Sequence, residues 1–245
     1  MKDGRGAAPP CQSPGAQGER RLRHSSALRV TPEEYDAWYR SPRGAWIGET
    51  EFRLLANALE PRSGETLLDV GCGTGYFTRL FAARTGASLV GLDPNLAWLR
   101  FALERAGPNE GYVAGRADRL PFGDRSFDRT IAVTSLCFIR TERDALREIV
   151  RVTRKRVALG LLNRHSLLYL QKGRHGGSGG YRGAHWHTPR EARALFDGIP
   201  VRDIRLRSGV LVPTGGPAAR RVEALLQDRP LPVGALLLAV ADIET

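Results

Sequence analysis

Residues 67–82 read LLDVGCGTGYFTRLFA, and this stretch decides the fold. The apolar run from Thr66 to Val70 suits a strand buried on both faces. It breaks into Gly71-Cys72-Gly73-Thr74-Gly75, after which Tyr76, Phe77, Leu80 and Phe81 recur at helical spacing. Strand, glycine turn and helix start together bring backbone N–H groups close to whatever lies above the turn. Glycine is needed there because a Cβ would block that approach and the turn calls for positive φ. Eighteen residues beyond Gly75, a second apolar run, Ser88 to Leu92, ends in Asp93. A carboxylate at that place can accept hydrogen bonds from both hydroxyls of a ribose.

The spacing G-x-G-x-G, with Asp69 inside the preceding strand, departs from the dinucleotide fingerprint G-x-G-x-x-G. A nicotinamide dehydrogenase is accordingly disfavoured. The stretch closely resembles the first motif of class I S-adenosylmethionine-dependent methyltransferases, and Asp93 matches that family's second motif. Residues 115–128, GRADRLPFGDRSFD, are similar to the G-x-A-x-x-L-P-F-x-D-x-S-F-D run of the type 11, or UbiE-like, subgroup. The resemblance implies a doubly wound, mostly parallel α/β sheet of seven strands, the last inserted antiparallel, with helices on both faces. It also implies S-adenosyl-L-methionine as cofactor and S-adenosyl-L-homocysteine as product.

By the same resemblance, backbone N–H groups of the Gly71–Gly75 turn, with Gly71, Cys72, Gly73 and Gly75 as named contacts, can serve the cofactor carboxylate, Asp69 its ammonium directly or through water, and Asp93, followed by Pro94, the ribose. Many family members carry an aspartate after the glycine that ends the third strand; here Arg116 stands in its place. The adenine amine is then expected at Asp118 or at the backbone of Ala117. Thr134, Ser135 and Leu136 end the fourth strand beside the cofactor, with Leu136 supplying apolar contact or plain core.

Alternating strands and helices from Glu65 onward argue independently for a parallel sheet. Strands are expected at Thr66–Val70, Ser88–Leu92, Gly111–Ala114, Asp128–Thr134, Arg156–Leu162, near Val201–Ser208 and at Val233–Ala241. Helices are expected at Tyr76–Arg84, Asn95–Ala106, Glu142–Val152, Pro189–Phe196 and Pro217–Leu226. Residues 1–29, rich in Gly, Pro, Ser, Gln and Arg, read as a disordered tail. Residues 30–245 read as a single methyltransferase domain.

Thr31-Pro32-Glu33-Glu34 is a helix start. Ser41-Pro-Arg-Gly44 reads as a turn and Glu49 to Leu59 as a helix, and the methyltransferase resemblance implies that residues 30–60 form a helical lid over the cofactor and substrate pocket. Tyr35, Trp38 and Trp46 are candidates for contact with the acceptor.

Methyl transfer is a direct displacement, so placement in line and exclusion of water suffice. Where a base is used, the loop after the fifth strand, Leu161-Leu-Asn-Arg-His-Ser166, offers Asn163 for the substrate and His165 as base. His185-Trp-His187 with His175 lacks a carboxylate or cysteine at ligand spacing, so no metal is expected. The glycine-rich Gly173–Gly183 lacks the Gly-Lys-Ser/Thr ending of a phosphate loop and reads as a mobile connection or gate.

The 245 residues are 42% hydrophobic, enough for a sizeable core, and carry a formal charge of +11. Only Lys2, Lys155 and Lys172 are lysines; the rest of the basicity is arginine spread along the chain without a run, which weakens the case for nucleic acid. Cys11, Cys72 and Cys137 form neither a disulfide framework nor a metal site and suit a reducing cytoplasm. No apolar stretch reaches the ~20 residues a membrane span needs. A small-molecule methyltransferase of the cytoplasm is the leading reading. An RNA methyltransferase and a cofactor-binding protein without transfer activity are the alternatives, and oligomeric state is not legible.

Overall fold

The computed structural model describes residues 30–244, apart from 227, 228 and 230. The expected tail, 1–29, lies outside the described residues.

Two helices open the described residues, α1 (Pro32–Arg40) and α2 (Pro42–Leu59). A capping box explains the start of α1: Thr31 Oγ1 accepts from Glu34 N while Glu34 accepts from Thr31 N. The expected turn at Ser41–Gly44 is instead a one-residue joint. Ser41 ends α1, and its hydroxyl accepts from Gly44 N to cap α2, with Pro42 at the first helical position.

Then follow β1 (Thr66–Val70), α3 (Tyr76–Thr85), β2 (Ser88–Asp93), α4 (Leu96–Leu103), β3 (Glu110–Ala114) and β4 (Phe127–Val133). Next come α5 (Glu142–Val152), β5 (Thr153–Leu162), α6 (Pro189–Ala194), β6 (Val201–Gly209), α7 (Pro217–Leu226) and β7 (Leu236–Ile243). The largest shift from the sequence-based bounds is in α2, which starts at Pro42, seven residues before the expected Glu49; three further bounds move by three residues. β5 starts at Thr153, directly after α5; α4 stops at Leu103, not Ala106; and β7 starts three residues later than expected.

The seven strands lie in the order β3-β2-β1-β4-β5-β7-β6, and β7 runs antiparallel to both neighbours. Because β1 pairs in parallel with β2 on one side and β4 on the other, the order reverses there. The crevice above the C-terminal ends of β1 and β4 is where an open sheet of this kind binds its ligand. Side chains alternate along the strands into two cores. Leu67 and Ile131 pack with Phe52, Leu55 and Phe81 from α2 and α3. Leu68 and Ala132 pack with Leu146 and Ile149 of α5 and Phe196 beyond α6. Burial on both faces is why the strands read as continuous apolar runs.

At the opposite, N-terminal end of the sheet, Arg129 donates to Glu65 at 2.7 Å and to the Leu59 carbonyl, joining α2, β1 and β4. Burial pushes the Glu65 carboxyl up, but hydrogen bonds from Arg129, Lys155 and the Arg62 amide outweigh it and hold it down at about 2.

Candidate active site

A cavity of about 1160 Å³ opens above the C-terminal ends of β1, β2, β4 and β5 and is covered by α1 and α2. Its floor is the glycine turn. Gly71 has φ +78, and a Cβ there would stand 2.3 Å from that of Ser135; only glycine lets the turn lie against the start of the segment after β4. Ser135 in turn donates to the Val70 carbonyl at 2.6 Å. Thr134, lining the cavity, has φ 56. That is a strained setting for a β-branched residue, and it turns the chain off β4 into the short 3₁₀ segment Ser135–Phe138.

The amides of the turn are mostly engaged within the protein. Gly71 and Cys72 donate to the Leu92 carbonyl, Gly73 donates to Asp93 at 3.0 Å, and Gly75 donates to the Cys72 carbonyl. Few of the turn amides are therefore free to serve a cofactor carboxylate. Among the described residues the Thr74 amide has no partner, and the fully buried Thr74 Oγ1 has none either. A buried hydroxyl without a partner is costly unless a ligand supplies one. Thr74 is thus the residue of the turn whose amide and hydroxyl both remain free.

Two carboxylates flank the turn. Asp69, 2% exposed, accepts from Thr78 Oγ1 at 2.7 Å. Burial, with a smaller push from the Asp93 charge, raises it to about 7 against that hydrogen bond. Asp93 accepts from Gly73 N and, at 2.8 Å, from Asn95 N, while Asn95 caps α4. Burial raises Asp93, and those two bonds oppose the rise. A carboxylate has about four acceptor positions, so each Asp93 oxygen keeps a free one.

Asp69, Gly71, Cys72, Gly73, Asp93, Pro94, Asp118, Thr134, Tyr35 and Trp38 all line the cavity. Asp118 is already clasped by Arg116 at 2.6 and 3.0 Å and by Thr141 at 3.2 Å, and the Arg116 hydrogen bonds hold its carboxyl low.

Five expected site residues do not line the cavity. Gly75 lies against the Tyr112 ring. Leu136 is fully buried core. Trp46 packs on the core and against Gly215. Asn163 is buried, its amide donating to the carbonyls of Pro232 and Gly234 while its oxygen accepts from His165 N. Those bonds hold the loop after β5 beside the segment before β7 and turn His165 outward. His165 is exposed and borders a separate surface hollow with Leu167 and Leu211. His165 thus lies outside the lining of the cavity that holds the glycine turn.

The helical cover is fastened by aromatics and one ion pair. Tyr39 stacks on Tyr76 at 3.6 Å, and Tyr35 meets Trp98 at 5.0 Å. Asp36 takes Arg79 Nη2 at 2.6 Å, while Arg79 Nη1 donates to the Thr74 carbonyl at 2.6 Å. Arg79 so joins α1 to the glycine turn. The glycine-rich segment contributes Gly180 and Tyr181 to the cavity wall, with Tyr181 tilted on Trp186 at 5.6 Å.

His185 and His187 converge on Glu142, not on His175: Glu142 Oε2 lies 2.9 Å from His187 Nε2 and 3.3 Å from His185 Nδ1. Burial pushes Glu142 up, but the two histidines prevail and hold it low. The other nitrogen of His187 is buried with no partner, whereas a metal-ligating histidine has its second nitrogen held. The trio fits a hydrogen-bonded cluster.

The fold and this turn define the class: a doubly wound nucleotide-type sheet whose switch point carries a glycine turn between two acidic strand ends. A family model described as a methyltransferase domain matches residues 68–159. An uncharacterised protein of Mycobacterium tuberculosis is 32% identical over 201 residues, covering 80% of this chain and 67% of that one. A demethylmenaquinone methyltransferase of Paenarthrobacter aurescens is 33% identical over 102 residues, covering 42% of this chain and 40% of that enzyme. In fold, the chain is similar to a methyltransferase of Thermotoga maritima described as a possible histamine N-methyltransferase. The TM-score is 0.67 at 22% identity, covering 86% of this chain and 96% of that one. The chain belongs to the type 11 methyltransferase family and is an S-adenosylmethionine-dependent methyltransferase.

Proposed function

We propose that this enzyme methylates a small molecule enclosed between the helical cover and the C-terminal edge of the sheet. The cavity carries the reading: at about 1160 Å³ it exceeds the roughly 300–1,000 Å³ of an ordinary ligand site, leaving room for an acceptor beside the cofactor. Its wall supports the same view. Although the chain is strongly basic, among the described residues five carboxylates against three arginines line the cavity, a balance that disfavours a phosphate backbone as the neighbour of the reacting group.

S-adenosylmethionine supplies an electrophilic methyl group on a sulfonium. The residues fit it: the Thr74 amide and hydroxyl can donate to its carboxylate, Asp69 can accept from its ammonium, and the free acceptor positions of Asp93 can take the ribose diol. The clasped Asp118 leaves the Ala117 backbone as the adenine contact. Tyr35 and Trp38 of α1 cover the cavity and exclude water, so that placement supplies roughly 7–11 kcal/mol of the barrier. Two free thiols, Cys72 and Cys137, support a reducing cytoplasm as its setting.

Calorimetry with S-adenosylhomocysteine, followed by transfer of labelled methyl to a fractionated cell extract, tests the proposal. Label in the fraction below the size of macromolecules supports it. Label confined to RNA, with affinity that collapses as salt rises, would overturn it.

A further inference from the structure

Glu51 stands apart from every other acid in the cavity. Five carboxylates line it, and four already hold a donor. Glu34 caps α1, Asp69 takes Thr78, Asp93 takes two amides, and Asp118 takes Arg116. Glu51 has no hydrogen bond or counter-charge among the described residues, and burial alone pushes its carboxyl up to about 8.

Its position follows from α2. Arg43, Ile47 and Glu51 recur every four residues and share one helix face, and all three line the cavity, while Phe52, Leu55 and Leu59 face the core. Arg43 is exposed and does not neutralise Glu51. The surroundings are phenolic. Burial raises Tyr35, Tyr39, Tyr76 and Tyr181, and the charge of Glu51 adds to each rise. These phenols stay neutral, and among the described residues no histidine lines the cavity.

We propose, building on the small-molecule reading above, that Glu51 and its tyrosines form the recognition site for a protonated amine, and that Glu51 takes the proton the amine must lose. A cation is what this site lacks: a lone carboxylate supplies the counter-charge, and aromatic faces attract ammonium groups. The nitrogen passes one proton to the Glu51 carboxylate. Its freed lone pair then forms the new bond to the methyl carbon as the carbon–sulfur pair leaves on sulfur. A carboxyl poised near the working pH is suited to such a transfer.

The test uses the full chain saturated with S-adenosylhomocysteine, with benzylamine as the cationic probe and benzyl alcohol as its neutral counterpart. Benzylamine should bind about 10- to 100-fold more tightly than the alcohol, the worth of one charge-assisted hydrogen bond. Glu51→Gln should abolish that preference while leaving S-adenosylhomocysteine affinity unchanged. In the wild type, ¹³C NMR of labelled glutamate carboxyls should show one midpoint near 8 that falls on adding benzylamine, a readout independent of the variant's folding. Equal binding of the two probes, a preference that survives Glu51→Gln, or a midpoint unmoved by benzylamine would each overturn the assignment of Glu51. Absent S-adenosylhomocysteine binding would instead overturn the reading of the site on which it rests.

Discussion

Replacing Asp93 with alanine separates two roles that the structure gives one side chain. Toward the protein, Asp93 holds the Gly73 amide at 3.0 Å and the Asn95 amide at 2.8 Å. Asn95 is exposed, so water can replace that bond cheaply. The Gly73 bond fixes the turn, and together the two contribute about 1–2 kcal/mol of stability. For a chain of this size that is a fall in Tm of roughly 2–8 °C. Toward the cavity, one free acceptor position on each oxygen is available to a ribose diol. Charge-assisted bonds contribute about 1.5–3 kcal/mol each, and water recovers part of that, leaving about 2–4 kcal/mol. The variant should therefore bind S-adenosylhomocysteine about 30- to 800-fold more weakly, at roughly 1.4 kcal/mol per decade. Titration calorimetry alongside thermal melting reads both effects. A lowered Tm with affinity unchanged would show that Asp93 only clamps the turn, and would refute its role as ribose acceptor.

Three further outcomes follow from the same geometry. Burial raises Asp69 to about 7 from about 3.9 in the unfolded chain. Its contribution to stability is thus complete below about pH 4 and is lost as pH rises through about 7. Urea midpoints of the ligand-free protein should fall between pH 5 and 8, less steeply in Asp69→Asn; equal slopes would contradict this. Glu51, raised to about 8, supplies the slope that remains. Asp36→Ala cuts the Arg79 tie of α1 while Arg40, 68% exposed, adds little. A loss of about 1–2 kcal/mol should speed hydrogen exchange across residues 31–48 by about 5- to 30-fold, with S-adenosylhomocysteine restoring protection. Unaltered exchange, with or without ligand, would make the cover a permanent scaffold. Arg129→Met strands the buried Glu65 carboxylate and should cost about 3–5 kcal/mol in urea unfolding, less whatever Lys155 recovers from its own 2.9 Å contact with Glu65.

The sequence by itself determined the sheet and the place of the site, because both rest on local chemistry. Thr66–Val70 must be a buried strand from its apolar run, the glycines must turn, and the apolar positions of residues 142–152 must make a helix; these elements appear with the bounds expected of them. Asp69 and Asp93 reach the cavity because strand ends carry them there whatever the loops do. Which amide of the turn remains free was beyond the sequence. Thr74 is left as donor because Leu92 and Asp93, on the neighbouring strand, take the amides of Gly71, Cys72 and Gly73, and the Cys72 carbonyl takes that of Gly75. Asn163 and His165 could not be judged from their position after β5, since the Pro232 and Gly234 carbonyls that hold Asn163 come from about 70 residues away. Glu51 was equally hidden. On a helix read in isolation it is one more solvated acid, and only the packing of α2 over the sheet brings its face onto the cavity. Tyr76 and Tyr181 line the same cavity from two distant segments. Local periodicity encodes elements; the partners that leave one carboxylate satisfied and another bare are long-range, and tertiary structure alone decides them.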